Sequence, residues 1–260
     1  MTTSRRTMLR NSVTGLGALT ALGGGVFTTP AQAQQATLTT IVFLSKRLDA
    51  STADYRKWYN EHHAPDFLSF GRPYLRRYAQ HFVEKAYMGD VDFDCISEFQ
   101  YRSPASRDAL LKLTASPEGK KILASHPQIG SQPGPHEDHT GSRTFSVDER
   151  RLVGPARGYD DPATRSQAIL VGRKADASPE AFAAAAKRFG AAIAAKGAKR
   201  VIFDLAEPET GRPASLYDGV FQIWPAKGVE RIESFGDAPG EIEIANVIDL
   251  ISYEAKLNAL

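Results

Sequence analysis

One cysteine, Cys95, is all that the chain of 260 residues contains. No disulfide can close within it, and a zinc or iron–sulfur site built on cysteine is excluded within one chain. Also missing are a glycine-rich nucleotide loop, a G-x-S-x-G elbow and an H-E-x-x-H segment. An excess of positive charge is lacking too, once the first 33 residues are set aside. The formal net of +2 comes from 32 Lys and Arg against 30 Asp and Glu, and residues 1–33 hold three arginines and no acid. What remains has 29 basic and 30 acidic side chains, a formal net of −1. That balance gives no reason to expect nucleic acid or an anionic membrane surface as a partner.

Residues 1–33 read as an export signal of the twin-arginine type. Arg5-Arg6 with Leu9 behind them precede a weakly apolar run from Val13 to Phe27 and the small-x-small site Ala31-Gln32-Ala33. The run is too short and too glycine-rich to span a bilayer, so no stable membrane insertion is expected. Cleavage after Ala33 places the mature protein in a bacterial periplasm.

Tyr55, Trp58, Tyr59 and His62 fall at i, i+3, i+4 and i+7, which stacks them on one face of a helix. Pro65 disfavours helical geometry at Ala64, so the helix is expected to end there with His62 and His63 in its last turn. Two readings of this stripe stand side by side. It is an aromatic core with terminal histidines, or it is the wall of a site with an imidazole at its rim.

The rest of the mature chain reads as one unit repeated. Strands are expected at 39–47, 75–83, 93–101 and 144–152, with a second helix at 106–125. A polar linker at 155–166 follows, then strands at 168–174, 199–206, 216–224 and 242–253 with helices at 178–196 and 228–235. Ser178-Pro179 is a good helix start. Asp94-Cys95-Ile96-Ser97-Glu98-Phe99 aligns with Asp218-Gly219-Val220-Phe221-Gln222-Ile223. The organisation expected is an α+β chain with a domain at 34–154, the linker, and a second, degenerate domain at 167–260, each βαββαβ. All six histidines (62, 63, 81, 126, 136 and 139) precede the linker, which assigns the chemistry to the first half.

The run Tyr55-x-x-Trp58-Tyr59-x-x-x-His63-Ala64-Pro65, then Leu75-Arg76-Arg77-Tyr78-Ala79-Gln80, Asp94-x-Ile96-x-Glu98 and Ala115-Ser116-Pro117-Glu118-Gly119, resembles the EthD family. That family belongs to the dimeric α/β-barrel superfamily of ferredoxin-like domains. The resemblance implies two tandem ferredoxin-like βαββαβ domains forming a barrel within one chain, with a small-molecule pocket between sheet and helices. It maps the family's histidine to His63. Gln80-His81-Phe82 departs from the usual Gln-Asn-His and moves that imidazole to the opposite strand face. Cys95 stands where glycine is common.

The resemblance implies an enzyme acting on a small apolar molecule, aromatic, quinone or lactone-like, with no diffusible cofactor. His63, helped by His62 or Glu98, is the acid/base group of a lyase, isomerase or cyclase. Glu98 can play that part only if it faces the helices. Trp58, Tyr59, Tyr78, His81 and Cys95 are the expected substrate-binding residues. Three alternatives remain open: a cofactor-free monooxygenase acting on a phenol or quinol, a haem-binding barrel with a histidine ligand, and a non-catalytic periplasmic binder. His136-Glu137-Asp138-His139 offers metal-ligand chemistry but reads as a solvated loop, and no metal is expected. A homodimer is compatible with all of these.

Overall fold

The computed structural model describes residues 38–46, 49–124, 144–154, 164–207 and 215–254. The expected export signal, the loop at 126–143 and positions 155–163 of the expected linker lie outside these residues. The first half runs β1 (Leu38–Leu44), α1 (Thr52–Trp58), a π-helical turn (Tyr59–His63), α2 (Ala64–Gly71), β2 (Leu75–Met88), β3 (Cys95–Tyr101), α3 (Pro104–Ala115), α4 (Pro117–Ala124) and β4 (Thr144–Val153). The second runs β5 (Thr164–Arg173), α5 (Pro179–Ala195), β6 (Ala198–Ala206), β7 (Gly219–Pro225) and β8 (Ile242–Glu254). β5 thus begins inside the span expected as linker.

Local chemistry explains most boundaries. Ser51 caps α1 by accepting from the Asp54 amide at 3.0 Å, and Ser178 caps α5 through Ala181 at 3.1 Å. The single helix expected over 106–125 is two helices. Pro117 forces Ser116 to an extended conformation (ψ 161°), and Ser116 Oγ then accepts from the Gly119 amide.

The eight strands close into one antiparallel barrel in the order β1-β3-β2-β8-β5-β7-β6-β4. The two expected four-stranded sheets are therefore joined edge to edge, at seams β2–β8 and β4–β6. The first half contributes β4-β1-β3-β2 and the second β8-β5-β7-β6, the same internal order. The aligned hexapeptides open β3 and β7 and do the same work. Asp94 Oδ2 accepts from the Lys46 amide at 2.8 Å, and Asp218 Oδ2 accepts from the Arg173 amide at 2.7 Å.

The expected helix over 228–235 does not form. Ile232 and Phe235 have helical spacing but reach the core from an irregular segment. Its backbone is satisfied from outside. The Ile232 amide donates to Gln167 Oε1 at 2.8 Å, and Gln167 Nε2 donates back to the Ile232 carbonyl at 3.3 Å. Among the described residues the second half has one helix, so its unit is not a complete βαββαβ.

Three apolar clusters follow from this layout. Strand alternation sends Ile41, Phe43, Ile96, Leu170, Val220 and Ile248 into the barrel interior. α1, α2 and α3 cover the outer face of β2 and β3. α5 covers the outer face of β5, β6 and β7. No helix among the described residues is long and apolar enough to cross a membrane.

Candidate functional site

The helix does not stop at Pro65. The Ala64 amide bonds to the Tyr59 carbonyl, five residues back, and α2 continues to Gly71 with Pro65 in its first turn. Proline lacks an amide hydrogen and clashes with the carbonyl four residues earlier in an α-helix. One wider turn before it relieves both problems. The turn also rotates the following residues, so Tyr55, Tyr59, His63 and Phe67 share the buried face while His62 points to solvent. His62 therefore stands apart from any site on this face, and the expected stripe ends one residue later than a regular helix allows.

His63 is 5% exposed. Its ring lies 5.5 Å from Trp58 and 6.3 Å from Phe67, near parallel to both, and 4.6 Å from Tyr59 at a tilt of 58°. Trp58, only half-buried, covers it from outside. Beneath lies a chain of buried hydroxyls. Tyr59 OH is hydrogen-bonded to Ser97 Oγ at 2.6 Å and to Tyr78 OH at 3.0 Å. α1 is held over this floor by Arg56, which donates to the Val83 carbonyl at 2.7 Å and lies 5.9 Å from the Phe82 ring centre.

Burial dominates the electrostatics. It pushes the Tyr78 phenol up to about 12, against the pull of hydrogen bonds from Tyr59 and Gln80. It drives Tyr59 and Tyr55 further above the ordinary phenol value. The Cys95 thiol, also buried on this face, is pushed up to about 12. These groups stay neutral near pH 7. The phenols are hydrogen-bond donors rather than bases, and Cys95 is a wall residue rather than a nucleophile.

The expected site residues divide by strand parity. Trp58, Tyr59, His63, Tyr78 and Cys95 meet on the outer, helix-covered face. Glu98 and His81 point the other way, into the barrel, where Glu98 is ion-paired with Arg77 and lies 3.3 Å from His81 Nε2. Glu98 consequently cannot orient His63 or share its proton. The shift of the imidazole at position 81 to the opposite face, read from Gln80-His81-Phe82, is what the structure has. Phe93 also turns inward, packing on Phe43 at 4.7 Å, because regular alternation begins only at Cys95.

Ser97, Phe67 and Phe82 belong to the outer site, and sequence reasoning gave them no role. Ser97 shares a face with Cys95 by strand alternation, but nothing in the sequence links its hydroxyl to Tyr59 across 38 residues. Among the described residues no three His, Cys, Asp or Glu side chains form a metal-holding group. His136-Glu137-Asp138-His139 lies outside the described residues.

Residues 47–128 match the family model described as EthD domain. That span holds α1 to α4, β2 and β3, hence the whole outer site, and the resemblance read from the motifs is borne out there. No curated protein matches the chain in sequence. Among solved structures it is similar to an anthrone oxidase-like protein (TM-score 0.49, 11% identity, covering 85% of this chain and 94% of that one). It is also similar to a Fusobacterium nucleatum protein provisionally named a monooxygenase (TM-score 0.44, 10% identity, 85% and 94% covered). A third is chlorite dismutase from Candidatus Nitrospira defluvii (TM-score 0.42, 10% identity, 86% and 93% covered).

Proposed function

We propose that the outer face of the first half is an active site for a small, mostly apolar aromatic molecule carrying an ionisable OH or CH group. His63 takes the proton. Tyr59 and Tyr78, kept neutral by burial, donate hydrogen bonds to the oxyanion that results. One observation carries this reading: a buried imidazole held among Trp58, Tyr59 and Phe67 on the same face as the Ser97–Tyr59–Tyr78 hydroxyl chain. The anion then rearranges or eliminates, as a lyase, isomerase or cyclase requires, without a diffusible cofactor. An electron-rich phenol or quinol deprotonated the same way is also the species that a cofactor-free monooxygenase delivers to oxygen, and the same side chains serve that reaction.

Aromatic phenols, quinols and lactones that raise the melting temperature identify the substrate class, since a ligand bound only to the folded form stabilises it. Turnover of such a compound should fall about 10²–10⁴-fold in His63→Ala. Full activity in that variant defeats the mechanism, and unchanged ligand affinity with no turnover in either protein identifies a binder. Oxygen consumption matched to product assigns the monooxygenase branch, and anaerobic turnover assigns the other. The reading extends to the whole chain as two fused ferredoxin-like units exported to the periplasm after loss of residues 1–33. N-terminal sequencing of the exported protein checks that cleavage.

A further inference from the structure

The barrel interior holds a second cluster that the outer site does not use. His81 Nδ1 is 2.8 Å from Ser252 Oγ, and Ser252 Oγ is 3.0 Å from Ser166 Oγ. On its other side His81 Nε2 is 3.3 Å from Glu98 Oε2, and Glu98 is held by Arg77 and by Gln222 Nε2 at 3.4 Å. All are at least 95% buried. An ionised Glu98 carboxylate can only accept, so in the neutral ring the proton sits on Nε2 and Nδ1 is left to accept from the Ser252 hydroxyl. Ser166 can donate to Ser252 Oγ, which leaves that hydroxyl's own proton for the imidazole. This is the hydroxyl–imidazole–carboxylate order of a nucleophilic relay, with the ring nitrogens exchanged relative to the serine proteases.

Packing alone does not require this order, because the barrel carries an equivalent seam built differently. Pairing registers equate Arg77 with Arg200, His81 with Asp204, Glu98 with Gln222, and Ser252 with Glu149. The β4–β6 seam thus has Glu149 opposite Asp204 where the β2–β8 seam has Ser252 opposite His81. Both seams accommodate polar interiors, and only one carries a nucleophile with a base. Ser252 lies two residues from the end of β8, and Ser166 lies two residues into β5, so the pair is near the strand ends that rim the barrel.

We propose that Ser252, His81 and Glu98 form a second reactive centre, in which Ser252 Oγ is acylated by small uncharged esters. The Oγ–carbonyl bond forms as the bond to the leaving oxygen breaks. The Ser252 proton passes to His81 Nδ1 and on to the leaving alkoxide, and water then hydrolyses the acyl-serine. Glu98, fixed by Arg77, is the positioning residue that stabilises the protonated imidazole.

The centre stands independently of the His63 reading. Methanesulfonyl fluoride, a small uncharged electrophile, tests it. Oγ–S forms, S–F breaks, fluoride leaves and the hydroxyl proton goes to His81. Peptide mass spectrometry should find the sulfonyl group on Ser252 in the folded protein and not in urea. His81→Gln should slow the modification about 10²–10⁴-fold, and Ser252→Ala should abolish it. An unmodified Ser252 in folded wild-type protein overturns the proposal, as does equal modification in urea or in folded His81→Gln. If His81→Gln loses cooperative melting, the comparison of folded and urea-treated wild type decides the matter by itself.

Discussion

The two halves share a strand order and an aspartate device at the head of the third strand, yet their outer faces differ in kind. In the first half the floor beneath the helices is Cys95, Ser97 and Phe99, with Tyr78 and Phe82 beside them. In the second half the corresponding positions are Gly219, Phe221 and Ile223, packed against Phe182, Ala185, Phe189 and Ile193 of α5. A serine hydroxyl in one half is a phenylalanine ring in the other. Gly219 has its own reason: a Cβ there would meet the Phe203 ring at 2.4 Å. One framework thus carries either an aromatic face with buried hydroxyls or an ordinary apolar core. A handful of outward-facing positions on two strands decides which.

The sharpest way to break this comparison uses the pair that meets inside the barrel. Glu98→Ala leaves Arg77 buried without its carboxylate and should cost about 3–5 kcal/mol by denaturant unfolding. Gln222→Met, at the equivalent position, should cost about 1 kcal/mol. Equal losses would mean that the two positions are not the asymmetric pair described. On the outer faces, Phe221→Ala should remove about 3–5 kcal/mol of stability. Turnover at the outer site per folded molecule should be unchanged, and a fall in it would give the outer face of the second half a share in that site's chemistry. Ser97→Ala should cost about 1 kcal/mol, with a lower kcat and little change in KM once the Tyr59 hydroxyl is held by Tyr78 alone.

The effect of pH is confined to the alkaline range. Tyr78 and Cys95 have folded values raised to about 12, from ordinary values of 10.0 and 9.0. Their neutral burial therefore contributes fully below pH 9 and is lost as pH climbs through the folded values. The melting temperature should be insensitive to these groups below pH 9 and should decline above it. A Cys95→Ala/Tyr78→Phe variant should decline less, and an identical alkaline profile would remove both residues from the account.

Strand existence was legible because alternation and β-branched runs are local signals, and eight strands were expected where the described residues hold eight. The capping serine at 178 was equally plain. The π-turn was not, since Pro65 reads locally as a stop and only tertiary packing shows the helix continuing beyond it. The segment holding Ile232 and Phe235 imitates a helical period while its backbone is satisfied by Gln167, 65 residues away. The sequence marks His63 as a candidate and the structure buries it on the helix-covered face, whereas Glu98 lies on the opposite face, because Asp94-x-Ile96-x-Glu98 does not state which face meets the helices. Ser252 falls in the strand expected at 242–253 but in no motif, its partner His81 lying 171 residues distant.

The barrel closes its own circle within one polypeptide, and that changes what its residues are free to do. In a ring assembled from two identical chains every substitution is made twice, so a histidine facing a serine at one seam must face a serine at the other. Joining the halves lifts that duplication: Ser252 with His81 can stand across from Glu149 with Asp204. It also makes ring closure independent of protein concentration, so dilution should not open the structure.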